Sequence, residues 1–291
     1  MSLSFPKRVW LSWLLLAASP VVLSARVEPT HGFDLYSQDE ELQVGKQAAV
    51  EVDKEMPLLP DSSPVTRYVT QLGNELASHA PGEAWPYNFH VVNQKAINAF
   101  ALPGGAIYIN LGTIQAADNE AQLAGVLAHE IAHVVQRHGT RAASKQLAAE
   151  APLALLAGVM GNNTVSHAAA LGISFGVGSY FLRNSRQSES EADLLGADIA
   201  YDAGFDPHEM AEFFTKLQDE DGKESSLDQF FSDHPDPGNR VEAVSEEVST
   251  LPSKAYRSDS PQFLRMKQIA LNMKPMTTDQ VAAWQKKHAS K

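Results

Sequence analysis

Cysteine is absent from all 291 residues. No disulfide or thiolate-held metal can contribute to the fold, so stability must come from core packing and from metal ligands of other kinds. Positive charge is scarce, with 23 Lys and Arg against 35 Asp and Glu, a formal net charge of −12. A surface of this sign repels phosphate backbones and anionic headgroups, which excludes nucleic acid as an expected partner. A clean apolar span of 20 residues is also missing, because the one long weakly charged stretch, residues 151–182, is rich in glycine and interrupted by "GNNT". It reads as one or two buried helices or as a hairpin that touches a membrane, not as a spanning helix. No internal repeat is present.

What is present begins with a leader. Lys7 and Arg8 precede the apolar run "VWLSWLLLAASPVVLSA", which ends in small residues suited to cleavage near Ala25. Residues 1–25 are therefore expected to be a signal peptide of an exported protein, the other reading being a retained membrane anchor at the short limit for a span. Losing Lys7 and Arg8 takes the formal net charge from −12 to −14. The remaining composition, 44% hydrophobic and 20% charged, is that of a globular chain.

The mature sequence predicts an α+β fold, mainly α, over 26–250 followed by a short helical tail, 251–291. Ser37 and Glu40 form a capping-box pattern ahead of a helix over about Asp39–Val52. Ser63 and Pro64 open a second helix. "YNFHVVN" alternates like a strand, and "AIYIN", after the Pro103-Gly104-Gly105 turn, reads as a second strand whose backbone is open to an extended peptide. A helix capped by Asp118 or Asn119 is expected to close at Gly139. Further helices are expected at about 187–203, 207–219 and 237–248, with two more in the tail.

The chemistry concentrates in "LAHEIAHVVQRHG". His129 and His133, four apart on a helix, can aim ring nitrogens at one ion. Glu130, one residue round, can act as base toward a water without binding the ion, which is the physical content of the HExxH pattern. A third ligand must come from elsewhere. In "RQSESEADLLGAD", Glu189 and Asp193 are four apart on a predicted helix. One carboxylate can bind the ion while the other takes the N–H of a ligand histidine. Gly196 and Ala197 are small enough for this helix to lie close against the first. Glu191 is expected to face solvent. His138 falls off the ligand face and is expected to offset the negative end of its helix. His31, His79, His90, His167, His208 and His288 show no partner spacing.

These two segments, with the "NAFALPGG" turn and "DHPDPGNR", resemble the signature segments of the HtpX-type zinc endopeptidases, in particular their periplasmic members. The resemblance covers most of the mature chain. It implies a zincin-like domain in which the HExxH helix packs on a second helix, with a small sheet whose edge strand lines the cleft. It implies one Zn2+ per chain, held by His129, His133 and Glu189, with Glu130 as general base and Asp193 behind a ligand histidine. It makes His234 a donor to the oxyanion or a cap on the metal in a resting state, and Arg240 an anchor of that loop against a carboxylate. It further implies unfolded or extended polypeptide substrates, a role in envelope quality control, and outer-membrane assembly factors as partners. The chain departs from those members that carry a C-terminal helical-repeat domain, having only its short tail. The other function expected of such a site is a zinc-stabilised, chaperone-like binding module whose capped site rarely cuts.

Overall fold

The computed structural model describes residues 26–29, 32–150, 184–220, 228–236 and 238–288. The expected signal peptide, 1–25, and the apolar stretch 151–182 lie outside these residues. Among the described residues, no helix is long and apolar enough to cross a membrane.

The first helix, α1 (Gln38–Glu55), starts at the expected box: Ser37 accepts from the Glu40 amide, and the Glu40 carboxylate accepts from the Ser37 amide. In α2 (Pro64–Ala77), capped by Ser63, the face of Val65, Val69, Leu72 and Leu76 is buried against the sheet. The sheet has three strands, β1 (Asn88–Val92), β2 (Ala99–Ala101) and β3 (Ala106–Asn110), in the order β1-β3-β2. β1 runs parallel to β3, and β2 antiparallel to it.

This order corrects the expectation for "AIYIN". That segment is β3, the central strand, and its backbone is engaged on both sides. The open edge belongs instead to β2, three residues too short to show an alternation in sequence. On the other side of the sheet, the 57–59 segment covers β1 through Leu59 N–H to Val91 O and Asn93 N–H to Pro57 O, both 2.8 Å. Along β2, Asn98 O accepts from Asn110 N–H and Leu102 N–H donates to Ala106 O. Alternation then turns the backbone groups of Ala99 and Ala101 away from the sheet.

A six-residue helix, α3 (Leu111–Ala116), leads into α4 (Glu120–Val135), which carries the HExxH segment. Asn119 supplies the cap, accepting from the Gln122 amide at 2.8 Å. Every residue of α4 is buried, so apolar partners must surround the helix on all sides. They come from α2, from β2, and from two later helices, α6 (Arg186–Asp202) and α7 (His208–Glu220). α6 approaches closely, where a Cβ built on Gly196 would lie 3.1 Å from the backbone of His129.

Gly139 does not close α4. The helix ends at Val135, Arg137 takes the left-handed conformation with φ 55°, and α5 (His138–Glu150) starts at the next residue. A left-handed non-glycine residue costs about 1–2 kcal/mol, and side-chain bonds offset it here. Arg137 donates to Glu41 and to the Tyr36 carbonyl, both at 2.6 Å, and lies 3.3 Å from Asp34.

The remaining helices are α8 (Asp228–Asp233), α9 (Arg240–Thr250), α10 (Pro261–Asn272) and α11 (Thr278–His288). α10 is capped by Ser260 and buries Phe263, Met266 and Ala270 in the same core as α2 and α4. Lys267 on α10 donates to the carbonyls of Ile114, Gln115 and Ala117, tying the helix to the end of α3.

Candidate metal centre

His129 and His133 lie one turn apart on α4 and bring their Nε2 atoms to 3.0 Å. Glu189 enters from the first turn of α6, where a carboxylate is favoured by the helix dipole. Its Oε2 is 3.3 Å from His129 Nε2, and its Oε1 is 3.4 Å from His133 Nε2. His234, directly after α8, places Nδ1 3.2 Å from Glu189 Oε2 and 3.4 Å from His129 Nε2. One donor atom from each of these four buried residues lies within 4.8 Å of all the others.

The donor set fits zinc. Zinc holds nitrogen and oxygen ligands at about 2.0–2.2 Å in tetrahedral geometry, which separates ligand atoms by roughly 3.3–3.5 Å. The contacts among His129, His133, Glu189 and His234 fall close to that spacing. Glu189 Oε1 is buried and has no hydrogen-bond partner, a costly state for an isolated carboxylate oxygen and a natural one for a metal ligand.

In the protein on its own, burial drives the His133 ring well below its ordinary pKa, which leaves it neutral. Burial alone would raise Glu189, but the charge of His234 and the bond from His129 hold it well below the carboxylate range. Glu130 is buried beside the cluster, 3.6 Å from His234 Nε2. Burial pushes its carboxyl above the ordinary range, opposed by the nearby imidazoles.

Behind the cluster, Asp193 Oδ1 lies 3.1 Å from Nδ1 of His129. Its other oxygen accepts from Arg240 Nε at 2.6 Å, and Arg240 Nη2 reaches Glu189 Oε2 at 3.2 Å. The Arg240 guanidinium also covers the Phe214 ring, 4.2 Å from its centroid. His234 is packed against Phe230, with ring centroids 5.0 Å apart, and its Nε2 donates to the outward-turned Ala99 carbonyl at 3.0 Å. With its proton on Nε2, the ring offers the Nδ1 lone pair to the cluster.

An open cleft reaches the cluster and is lined by Glu130, His133, His138 and His234, and on one wall by β2 and the turn after it. Thus the free edge of the sheet faces the candidate metal centre.

Two residues stand elsewhere than their spacing suggested. His138 does not cap the end of α4: its Nδ1 lies 2.8 Å from Nδ1 of His133. Glu191 does not face solvent freely, because its Oε2 lies 3.0 Å from both His138 Nε2 and Arg141 Nη1. The left-handed turn at Arg137 causes both departures. On one continuous helix, residues five apart point in different directions, and the break swings His138 back toward His133. Sequence spacing carried no signal for this pair.

The sequence matches the model of peptidase family M48 over residues 64–248. It is 31% identical over 258 residues to the β-barrel assembly-enhancing protease of Escherichia coli K12, covering 85% of this chain and 52% of that one. It is 30% identical over 233 residues to the metalloprotease LoiP of the same organism, covering 78% of this chain and 88% of that one. To the mitochondrial metalloendopeptidase OMA1 of Schizosaccharomyces pombe it is 28% identical over 245 residues, 81% of this chain and 71% of that one. The chain thus spans about half the length of the assembly-enhancing protease. The motif helices, the acidic helix and the His234 loop all lie within the matched region, and the chain belongs to peptidase family M48.

Proposed function

We propose that this chain is an exported, zinc-dependent endopeptidase that cuts misfolded or unassembled envelope polypeptides presented in extended form. The observation that carries the reading is the convergence of His129, His133 and Glu189 beside a buried Glu130, with Glu130 and His133 lining the same cleft as β2. His129, His133 and Glu189 would hold the metal, and His234 would complete the set in a resting state. Bound zinc would supply Lewis acidity toward the scissile carbonyl and raise the acidity of water.

The chain's own groups do the rest. An extended substrate pairs with the outward N–H and C=O groups of Ala99 and Ala101, a mode that reads main chain and suits unfolded clients. Glu130 takes a proton from the attacking water and hands it to the leaving amine. His234 must leave the cluster for a substrate to enter; from there its Nε2–H can donate to the developing oxyanion. Asp193 and Arg240 hold His129 and Glu189 in place.

The leader supports export to the periplasm with cleavage near Ala25, and the name of the assembly-enhancing relative supports a part in β-barrel assembly. The chaperone-like alternative draws no support from the relatives, which are named proteases or metalloendopeptidases.

The test is cleavage of casein by wild type and Glu130→Gln, each with and without chelator. Loss of roughly 100-fold or more in the variant, with zinc still bound, is expected for removal of a general base. Equal cleavage by both proteins would remove the endopeptidase reading.

A further inference from the structure

We propose that His138, held by Glu191, is the positioning residue for His133. It fixes that ring's tautomer and orientation so that Nε2 presents a lone pair to the metal. The proposal rests on the reading above that His133 is a metal ligand.

The two Nδ1 atoms face each other at 2.8 Å, with both rings buried and inclined at 71°. Two lone pairs or two N–H groups cannot meet at that distance favourably, so one atom donates and the other accepts. His133 turns Nε2 into the cluster, 3.0 Å from His129 Nε2. A neutral ring that binds metal through Nε2 carries its proton on Nδ1. His133 is therefore the donor and His138 the acceptor.

The neutral His138 then carries its own proton on Nε2, 3.0 Å from Glu191 Oε2, which accepts it. Glu191 is anchored in turn by Arg141 Nη1 at 3.0 Å and by Gln187 Nε2 at 2.8 Å. The direction of each bond is set by the next, from the metal side outward to a charged anchor. A carboxylate at the end of such a chain raises the basicity of the ligand nitrogen.

Helix α6 thereby serves both histidines. Asp193 stands directly behind His129, whereas Glu191 reaches His133 through one intervening imidazole. The left-handed Arg137 makes this geometry available, because it starts α5 at His138 directly beneath the ligand.

The test is zinc affinity, measured by chelator competition on the full mature chain, for wild type and for His138→Phe, His138→Asn and Glu191→Ala. Phe keeps an aromatic ring and loses the acceptor, and a 10- to 100-fold weaker affinity is expected. Asn offers Oδ1 as an acceptor to the His133 N–H and is expected to recover affinity to within several-fold of wild type. Glu191→Ala is expected to weaken zinc in the same direction by a smaller factor. In cobalt-loaded protein, both His138→Phe and Glu191→Ala should shift the d–d absorption bands, which a role in packing alone would leave in place.

Wild-type affinity in a folded His138→Phe would overturn the proposal. If that variant does not fold, unchanged affinity and cobalt spectrum in Glu191→Ala overturn it instead. In both cases wild type still binds zinc, and the metal reading stands. A wild type that takes up no zinc removes that reading, and this proposal with it.

Discussion

At the scale of single residues, the site is a set of buried charges that exist only in one another's company. Asp193 links a ligand histidine to its support, touching His129 on one oxygen and Arg240 on the other. Replacing it with alanine leaves a buried guanidinium short of a partner, which typically costs about 3–5 kcal/mol. It also removes the group behind a ligand imidazole, worth roughly 10- to 100-fold in metal affinity. Asp193→Ala should therefore lose both stability in denaturant and zinc affinity by chelator competition, and Asp193→Asn, which keeps an acceptor, should lose less of each. Unchanged values for the alanine variant would show that Asp193 is a bystander. His129 and His133 were legible through their helical spacing, and Glu189 with Asp193 as a second spaced pair, but spacing left open which carboxylate joins the histidines, and the family resemblance singled out Glu189. His138 and Glu191 were not legible, since their meeting depends on a chain reversal that falls on an arginine where a glycine stood two positions later.

At the scale of elements, a long regular period survives in sequence and a short one does not. α1 and α2 each announced themselves by a serine at the cap. β2, with three residues, and α3 and α8, with six each, have no room for a pattern. The consequence fell on function, because the edge presented to the cleft is β2 and the more readable β3 is buried in the middle of the sheet. The pairing makes a specific prediction. Ala101 turns its N–H outward, so Ala101→Pro removes no bond of the sheet and should fold, as proline does on edge strands. Phe100 is paired with Tyr108 at a position that faces β3, so Phe100→Pro should destabilise the sheet. With peptide substrates, Ala101→Pro should raise KM several-fold with metal affinity unchanged. A KM equal to that of wild type would mean that substrates do not add to this edge. The close approach of α6 to α4 at Gly196 is an element-level fact that the sequence did disclose, through small residues one turn beyond Asp193.

At the scale of the whole molecule, the core holds tyrosines in their neutral form. Burial raises the Tyr36 hydroxyl to about 12, with Asp34 adding to it. Burial also raises Tyr68, Tyr87 and Tyr108, reinforced for Tyr68 by its bond to Glu120 and for Tyr108 by its bond to Asp53. An unfolded tyrosine ionises near about 10. Because the folded values lie higher, the stability these groups contribute is fully present below about 10 and is lost as pH rises through the folded values. Alkaline titration should show the four ionising together with loss of helical circular dichroism. Tyrosinate absorbance from all of them with the helical signal intact would contradict their burial.

The central claim is that two helices, 60 residues apart in sequence, surround one ion. Anomalous diffraction at the zinc edge, on crystals of the protein, tests it directly. The account predicts one peak at about 2.0–2.2 Å from Nε2 of His129, Nε2 of His133 and a carboxylate oxygen of Glu189. A zinc peak bound elsewhere, or none in protein prepared with zinc, would contradict it.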